Sequence, residues 1–319
     1  MQVEFVGFND EVAKNYILDE ITYLNHKRYK KLSISFNHDP SFKLPSADYR
    51  VLLLWEPKAV MPWQYQIRNY SAFDLVIPMS VWRAQNLGLR EYAYHPYNFD
   101  GIKPITSNSD RTKRVVMINS AKFSSGCSSL YGLRRAASKE LFDIGVDYSL
   151  YGNNWQMPKI MEFRKRVTSL KNSLLAREKI CLREFASQLW YSFPEYKGWV
   201  ESKFEILSQF QLSLVIENDQ DWVTEKIFDS LYAGAIPIYV GPDLSEEFPK
   251  LEACVIRANA NTDDLVRRVI ETTDDEIESR KIAIREFLRD KSKTGIGFWH
   301  PKEQWGQVSK IIHRALLAA

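Results

Sequence analysis

Short runs dense in apolar residues recur along the first hundred positions, separated by polar or helix-patterned stretches. VEFVGF (3–8), LSISF (32–36), YRVLLLW (49–55) and FDLVIPM (73–79) are the clearest. A nearly continuous apolar run, as opposed to strict alternation, marks a strand buried on both faces, as in a parallel sheet. Between the runs, Val12, Tyr16 and Ile17 fall at helical spacing, and PWQYQIRNY reads as helix-like. The pattern breaks at 98–113, NFDGIKPITSNSDRTK, a polar and turn-rich stretch suited to a linker.

RVVMIN (114–119) then opens a second series. SLYGLRRAASKELFDIG reads as a helix ending near Gly145, and VDYSLYG as the next strand. LSLVI and AIPIYV follow, joined by the helix TEKIFDSLYAG. CVIRA (254–258), two polar-faced helices and a terminal helix complete the chain. Such alternation predicts an α/β protein of two doubly wound domains facing a cleft. The first domain covers 1–110 and the second 111–295, with a helix over 296–319 packing back on the first.

The segment from about 155 to 192 stands outside the alternation and reads as a helical insertion. Ile160, Phe163, Val167, Leu170 and Leu174 recur at 3-4-3-4 spacing, the signature of an amphipathic helix. Between 155 and 184 there are eight Lys or Arg against three Glu. The plainer reading is a helix packed on its own domain with a solvated basic face. The alternative is peripheral contact with a membrane, or self-association, through about 158–190.

Composition narrows the class. At 319 residues the chain exceeds a usual single core. A net charge of +3 lacks the basic excess of a nucleic-acid protein, so no nucleic-acid partner is expected. Cys127, Cys181 and Cys254 are odd in number and show neither metal-ligand spacing nor a disulfide framework, which suits a reducing compartment. The first residues lack the features of a signal peptide, and no run approaches the ~20 apolar residues of a membrane span. A cytoplasmic location is expected, either free or peripheral to the inner face of the membrane.

Candidate chemistry concentrates in FQLSLVIENDQDWVTEKIFDSLYAGAIPIYVGP (210–242). In open α/β sheets, ligands bind beyond the carboxyl ends of the strands. Glu217, Asn218 and Asp219 follow LSLVI and belong to that edge. Thr224 is the predicted N-cap of the next helix, its hydroxyl accepting from orphan amides. Lys226 then sits in the first turn, where a cation is unfavourable unless an anion faces it. Upstream, SAKFSSGCSSLYGLRR is a small-residue loop opening a helix, a setting that allows close approach of a phosphate. Arg134 or Arg135 could reach a pyrophosphate there.

IENDQDWVTEKIFDSLYAGAIPIYVGP resembles the signature of the α-1,3/1,4-fucosyltransferases, glycosyltransferase family 10. That family shows F-E-N-S, then Y-V-T-E-K, then A-G-x-[VI]-P-[VI]-x-x-G. Weaker similarity runs from about 111 to 290, through LRRAASKEL and VDYSLYG, and fainter similarity covers 1–110. The resemblance implies a GT-B architecture of two Rossmann-like domains. It implies that the C-terminal domain holds the nucleotide sugar, that the donor is GDP-fucose, and that transfer inverts the anomeric carbon.

The same resemblance implies residue roles. Lys226 would meet the donor diphosphate, Glu225 the sugar hydroxyls, and Arg134 the pyrophosphate, with Arg135 as the fallback. Glu217 and Asn218 match the acid and amide of F-E-N, while Ile216 and Asp219 replace the flanking Phe and Ser. Trp222 stands where the family has Tyr, keeping a ring for stacking and losing the phenol. Glu56, closing YRVLLLWEP, is the candidate general base, with Glu91 and Asp74 as weaker candidates. Burial at a strand edge would raise its pKa, which suits a base near neutrality.

Arg134 and Lys226 would stabilise the leaving diphosphate. Two such cations could replace the metal used by other sugar transferases, so neither a divalent metal nor another cofactor is expected. His95 and His300 each precede Pro and read as turn residues. The expected activity is an α-1,3-fucosyltransferase acting on a glycan such as a bacterial surface polysaccharide or its precursor. A same-fold transferase with another nucleotide sugar, or a non-catalytic glycan-binding relative, is the alternative.

Overall fold

The computed structural model describes residues 1–7, 10–21, 29–39, 43–105, 111–177, 179–181 and 191–319. Part of the expected linker (106–110) and part of the expected insertion (178 and 182–190) lie outside the described residues.

The first sheet is wholly parallel, in the order β1(Gln2–Val6), β2(Lys31–Phe36), β3(Tyr49–Leu54), β4(Leu75–Pro78). Helix α1(Glu11–Ile21) follows β1, and α2(Val81–Leu87) follows β4. Strand β3 shows why the apolar runs are continuous. Val51 and Leu53 pack with Ile17 and Ile21 of α1 on one face, while Leu52 and Leu54 meet Tyr65 and Phe73 on the other. PWQYQIRNY does not form one helix. It makes two 3-10 turns, Pro62–Tyr65 and Ile67–Ala72, because Gln66 between them is extended at φ −83 and ψ 116.

The second sheet comprises β5(Lys113–Ile118), β6(Tyr148–Tyr151), β7(Phe210–Ile216), β8(Ile236–Val240) and β9(Ile256–Arg257). Its order is β6-β5-β7-β8-β9, all parallel. The strand order reverses between β5 and β7, the switch point where α/β sheets open a ligand crevice. The helices are α3(Tyr131–Asp143), α4(Lys159–Leu175), α5(Lys203–Leu207), α6(Glu225–Ala233), α7(Pro249–Glu252), α8(Thr262–Glu271), α9(Asp274–Arg289) and α10(Pro301–Ala318).

Pro301 opens α10, and the His300 side chain accepts from the Lys302 amide as its N-cap. Val308, Ile311, Ile312 and Leu316 of α10 share a core cluster with Ile17 and Ile21 of α1, so the last helix lies on the first sheet.

Helix α4 faces the opposite way from the plainer expectation. Its apolar stripe points outward: Ile160 is 62%, Phe163 45%, Val167 44% and Leu174 60% exposed. Glu162, Arg166 and Ser173 are buried instead. Arg166 pairs with Glu162 at 3.0 Å and lies over the Phe123 ring. The Ser125 amide donates to Ser169 Oγ, and the Ser125 hydroxyl to Ser173 Oγ. A polar loop and a guanidinium–aromatic stack thus select the inward face. Among the described residues no helix is long and apolar enough to cross a membrane.

A buried charge cluster joins the two sheets. Arg83 of α2 reaches Asp221 Oδ1 at 2.5 Å and Asp219 Oδ2 at 3.4 Å, both just beyond β7. Ser80 donates to the Asp221 carbonyl, and the Ala59 amide to Asp219 Oδ2 at 3.0 Å. Trp222 adds an apolar wedge, fully buried in the core cluster of the first sheet.

Candidate active site

A cleft of about 530 Å³ opens where the carboxyl ends of β3, β5, β6 and β7 approach the start of α6. At its floor Gly152 adopts φ +124, and a Cβ there would lie 2.1 Å from the Asn119 carbonyl oxygen. Only glycine lets the ends of β5 and β6 meet this closely. Of the residues expected from sequence, Glu56, Arg134, Asn218, Trp222, Thr224, Glu225 and Lys226 line the cleft. Glu217 does not.

Glu217 is fully buried, and its carboxylate accepts from the Thr224 amide at 2.9 Å and the Thr224 hydroxyl at 2.6 Å. Burial raises its pKa, opposed by the Lys226 charge and the Thr224 hydrogen bonds. It therefore organises the turn before α6 and does not touch a ligand in the cleft. This corrects its expected role in donor binding.

Thr224 is corrected in turn. It is the N-cap by backbone position, but its hydroxyl caps no amide. The hydroxyl donates to Glu217, and Lys226 Nζ donates to the hydroxyl oxygen at 2.7 Å. The first amides of α6 consequently have no side-chain cap, the condition for receiving an anion. Lys226 Nζ lies 3.7 Å from Glu217, which holds the ammonium beside those amides.

Arg134 is 2% exposed. Its Nη2 donates to the carbonyls of Ile216 and Glu217 and to Asn218 Oδ1, and its Nε to Ile216. Four bonds tie it to the end of β7 and leave Nη1 without a hydrogen-bond partner among the described residues. Desolvation lowers its pKa. Arg135 is placed elsewhere, over the Phe123 ring at 3.8 Å and donating to the Tyr131 carbonyl.

Trp222 is no stacking platform. Its ring is fully buried and meets His95 edge-on at 5.4 Å.

Glu225 opens on the cleft, with half of its side chain accessible. The walls around it disfavour its charge, yet the Lys226 and Lys203 ammonium groups outweigh this and lower its pKa to about 2. Glu56 faces it from the other sheet. Its amide is pinned by Asn37 Oδ1, and its carbonyl by Gln64 and Tyr65, while its carboxylate makes no hydrogen bond among the described residues. Desolvation raises the Glu56 pKa, opposed by the nearby Lys122 charge. Asp74 and Glu91 lie away from the cleft: Asp74 accepts from the Arg50 amide, and Glu91 pairs with Arg314.

Lys122, Lys203, His95 and Trp199 also line the cleft. Lys122 belongs to the small-residue loop after β5, and the loop itself was the available signal. Lys203 bonds Asp229 at 2.9 Å and lies 3.6 Å from Glu225, a pairing across 22 residues that no local pattern announces. His95 sits between Trp55 and Trp222 with Nε2 2.8 Å from the Trp55 carbonyl, and burial lowers its pKa to about 4. A neutral ring with Nε2–H donating follows. Trp199 is 65% exposed and is the open indole of the cleft wall.

Two parallel α/β sheets facing this cleft define the GT-B fold of glycosyltransferases. Anabaena Alr3699/HepE, solved in complex with UDP and glucose, superposes with a TM-score of 0.51 at 12% identity, covering 100% of both chains. An α,α-trehalose-phosphate synthase (UDP-forming) from Burkholderia xenovorans, in complex with glucose-6-phosphate, gives 0.50 at 11% identity over 95% of this chain and 77% of that one. A trehalose-6-phosphate synthase studied for glycosyl transfer with retention gives 0.52 at 10% identity, over 98% and 80%. No family model matches the chain. A 48-residue stretch, 14% of the chain, is 50% identical to an Arabidopsis thaliana protein named "Putative fucosyltransferase-like protein" and covers 9% of it.

Proposed function

We propose that the chain is an inverting glycosyltransferase that moves fucose from GDP-fucose to a hydroxyl of a glycan acceptor. One observation carries this reading. The uncapped start of α6, with Lys226 and Arg134 beside it, faces the unpartnered carboxylate of Glu56 within one cleft.

Each group then has a task. The diphosphate rests on the α6 amides, with Lys226 Nζ and Arg134 Nη1 meeting its oxygens. Glu225, held ionised, accepts from donor sugar hydroxyls. Glu56 takes the acceptor hydroxyl proton as that oxygen bonds to the anomeric carbon. The bond from that carbon to the phosphate oxygen breaks, and its electron pair leaves with the diphosphate, where the two cations stabilise the developing charge. Two cations and a helix terminus meet this charge without a metal, so chelation with EDTA is expected to leave turnover unchanged.

Local identity to a fucosyltransferase-like protein supports fucose as the sugar. The HepE complex with UDP favours a second reading, in which the same machinery holds another nucleotide sugar. A thermal-shift panel of GDP, GDP-fucose, GDP-mannose, UDP, UDP-glucose and CMP separates them, since a ligand that binds only the native state stabilises it. Selective stabilisation by GDP and GDP-fucose supports the first reading, and selection of UDP replaces the donor. No response to any nucleotide overturns both. The anomeric configuration of the product, read by NMR, tests inversion.

A further inference from the structure

A second cavity, of about 360 Å³, adjoins the donor cleft and shares Lys122 with it. Its walls come from both sheets. Ala59, Val60 and Pro62 lie shortly beyond Glu56, Lys122 and Phe123 come from the loop after β5, Tyr131 from α3, Asn154 from beyond β6, and Lys165, Thr168 and Asn172 from α4. Helix α4 bridges the two sheets here. It packs on the 3-10 turn Pro62–Tyr65, and Gln66 Nε2 donates to the Leu175 carbonyl at 3.0 Å. The hydroxyls of Ser169 and Ser173 are spent holding α4 to the Ser125 loop.

Thr168 Oγ1 donates to the Arg164 carbonyl and Ser124 Oγ accepts from the Gly126 amide, but other polar groups of the wall are unspent. The side chains of Asn154, Lys165 and Asn172 make no hydrogen bond or ion pair among the described residues. Tyr131, also in this wall, is 2% exposed with a hydroxyl that has no partner among the described residues. Among the described residues two lysines line the cavity, and no Asp or Glu does. A ligand seated here would project a group past Ala59 toward Glu56.

We propose that this second cavity is the acceptor subsite and that it takes a saccharide bearing a negative charge, a phosphate or a carboxylate, met by Lys165 and Lys122. Its assignment as an acceptor site rests on the transferase reading above; its selectivity for anionic saccharides does not. Hydroxyls of the saccharide would be met by Asn154 and Asn172.

Saturation-transfer NMR and calorimetry on the full chain test this without turnover. The probes are the methyl glycosides of glucose, galactose and N-acetylglucosamine, beside their 6-phosphates and the corresponding uronates. At least one anionic probe is expected to bind about tenfold more tightly than its neutral parent, the worth of a charge-assisted contact. Phosphate and uronate arms separate the two sources of charge. Lys165→Ala should erase that preference while leaving the GDP affinity as in the wild type. Tyr131→Phe removes an unsatisfied hydroxyl, so it should keep or raise thermal stability and still weaken saccharide binding several-fold.

No preference for any anionic probe, or a preference that survives Lys165→Ala, overturns the subsite. Charge-selective binding in a protein that binds no nucleotide sustains the saccharide site and removes the donor reading instead.

Discussion

Replacing Arg83 by Met is the most informative single perturbation of the cleft. The change keeps an unbranched apolar stem and removes the guanidinium, whose carbon lies over the Tyr65 ring 4.9 Å from its centroid. It strands two carboxylates, Asp219 at 0% and Asp221 at 8% exposure. Breaking a buried ion pair from one side costs about 3–5 kcal/mol, because the remaining charge stays buried. Burial and the neighbouring Asp221 charge already raise the Asp219 pKa, and Arg83 opposes them. Without Arg83 that pKa rises further.

An acid whose folded pKa is raised holds a proton that the unfolded chain has released. Its contribution to stability therefore falls as pH climbs from the unfolded value near ~3.9 to the folded one. The deficit of Arg83→Met should be largest at pH 8 and smaller at pH 5. Urea unfolding at both values measures it, and adding Asp219→Asn to the variant should restore part of the loss, with Asp221 still lacking its Arg83 partner. A deficit below about 1 kcal/mol, or one independent of pH, refutes the reasoning, since exposed pairs behave that way. Turnover should fall as well. Asp219 also holds the Ala59 amide, three residues beyond Glu56, so the variant loosens the base without touching the donor residues.

Four further outcomes are expected. Lys226→Ala should lower kcat by about 10²–10³ in a donor-saturated assay, the usual worth of one preorganised group at a developing charge, and unchanged turnover would remove Lys226 from the diphosphate. Glu56→Gln should lower turnover by about 10²–10⁴ with GDP affinity intact. Because only the ionised carboxylate can take the proton, wild-type activity should be lost as pH falls through an apparent pKa above the ordinary glutamate value; activity that persists down to that ordinary value contradicts the assignment. Gly152→Ala should destabilise the chain by more than about 3 kcal/mol in urea unfolding, since it combines a positive φ with a backbone overlap at Asn119.

The strands were legible because their apolar runs reflect burial on both faces, as Val51 to Leu54 illustrate with alternate residues in different clusters. The direction in which α4 faces was not. Periodicity locates a stripe along a helix but does not say what lies opposite it. Here the opposing surface is the Ser125 loop and the Phe123 ring, which take serines and a guanidinium in preference to leucines. The 3-10 turns after β3 escaped for a related reason: Gln66 is extended to bring Gln64 and Tyr65 onto the Glu56 carbonyl, a tertiary demand absent from local propensity.

Within the cleft, Glu217 and Glu225 show where sequence reasoning stops. They are the same residue type, eight positions apart, flanking one turn. Glu217 lies beside the end of β8, so close that a Cβ on Gly241 would stand 2.9 Å from its Cγ, and it is spent on Thr224. Glu225 opens on the cleft between two lysines, one of them 22 residues upstream. Burial therefore drives one carboxyl upward in pKa, and paired cations drive the other down to about 2. What could be read from the chain was the anomaly that couples them, a lysine in the first turn of a helix. Lys226 is stable there because Glu217 supplies a buried counter-charge from below, and that support leaves its upper side, with the uncapped amides, free to meet an anion.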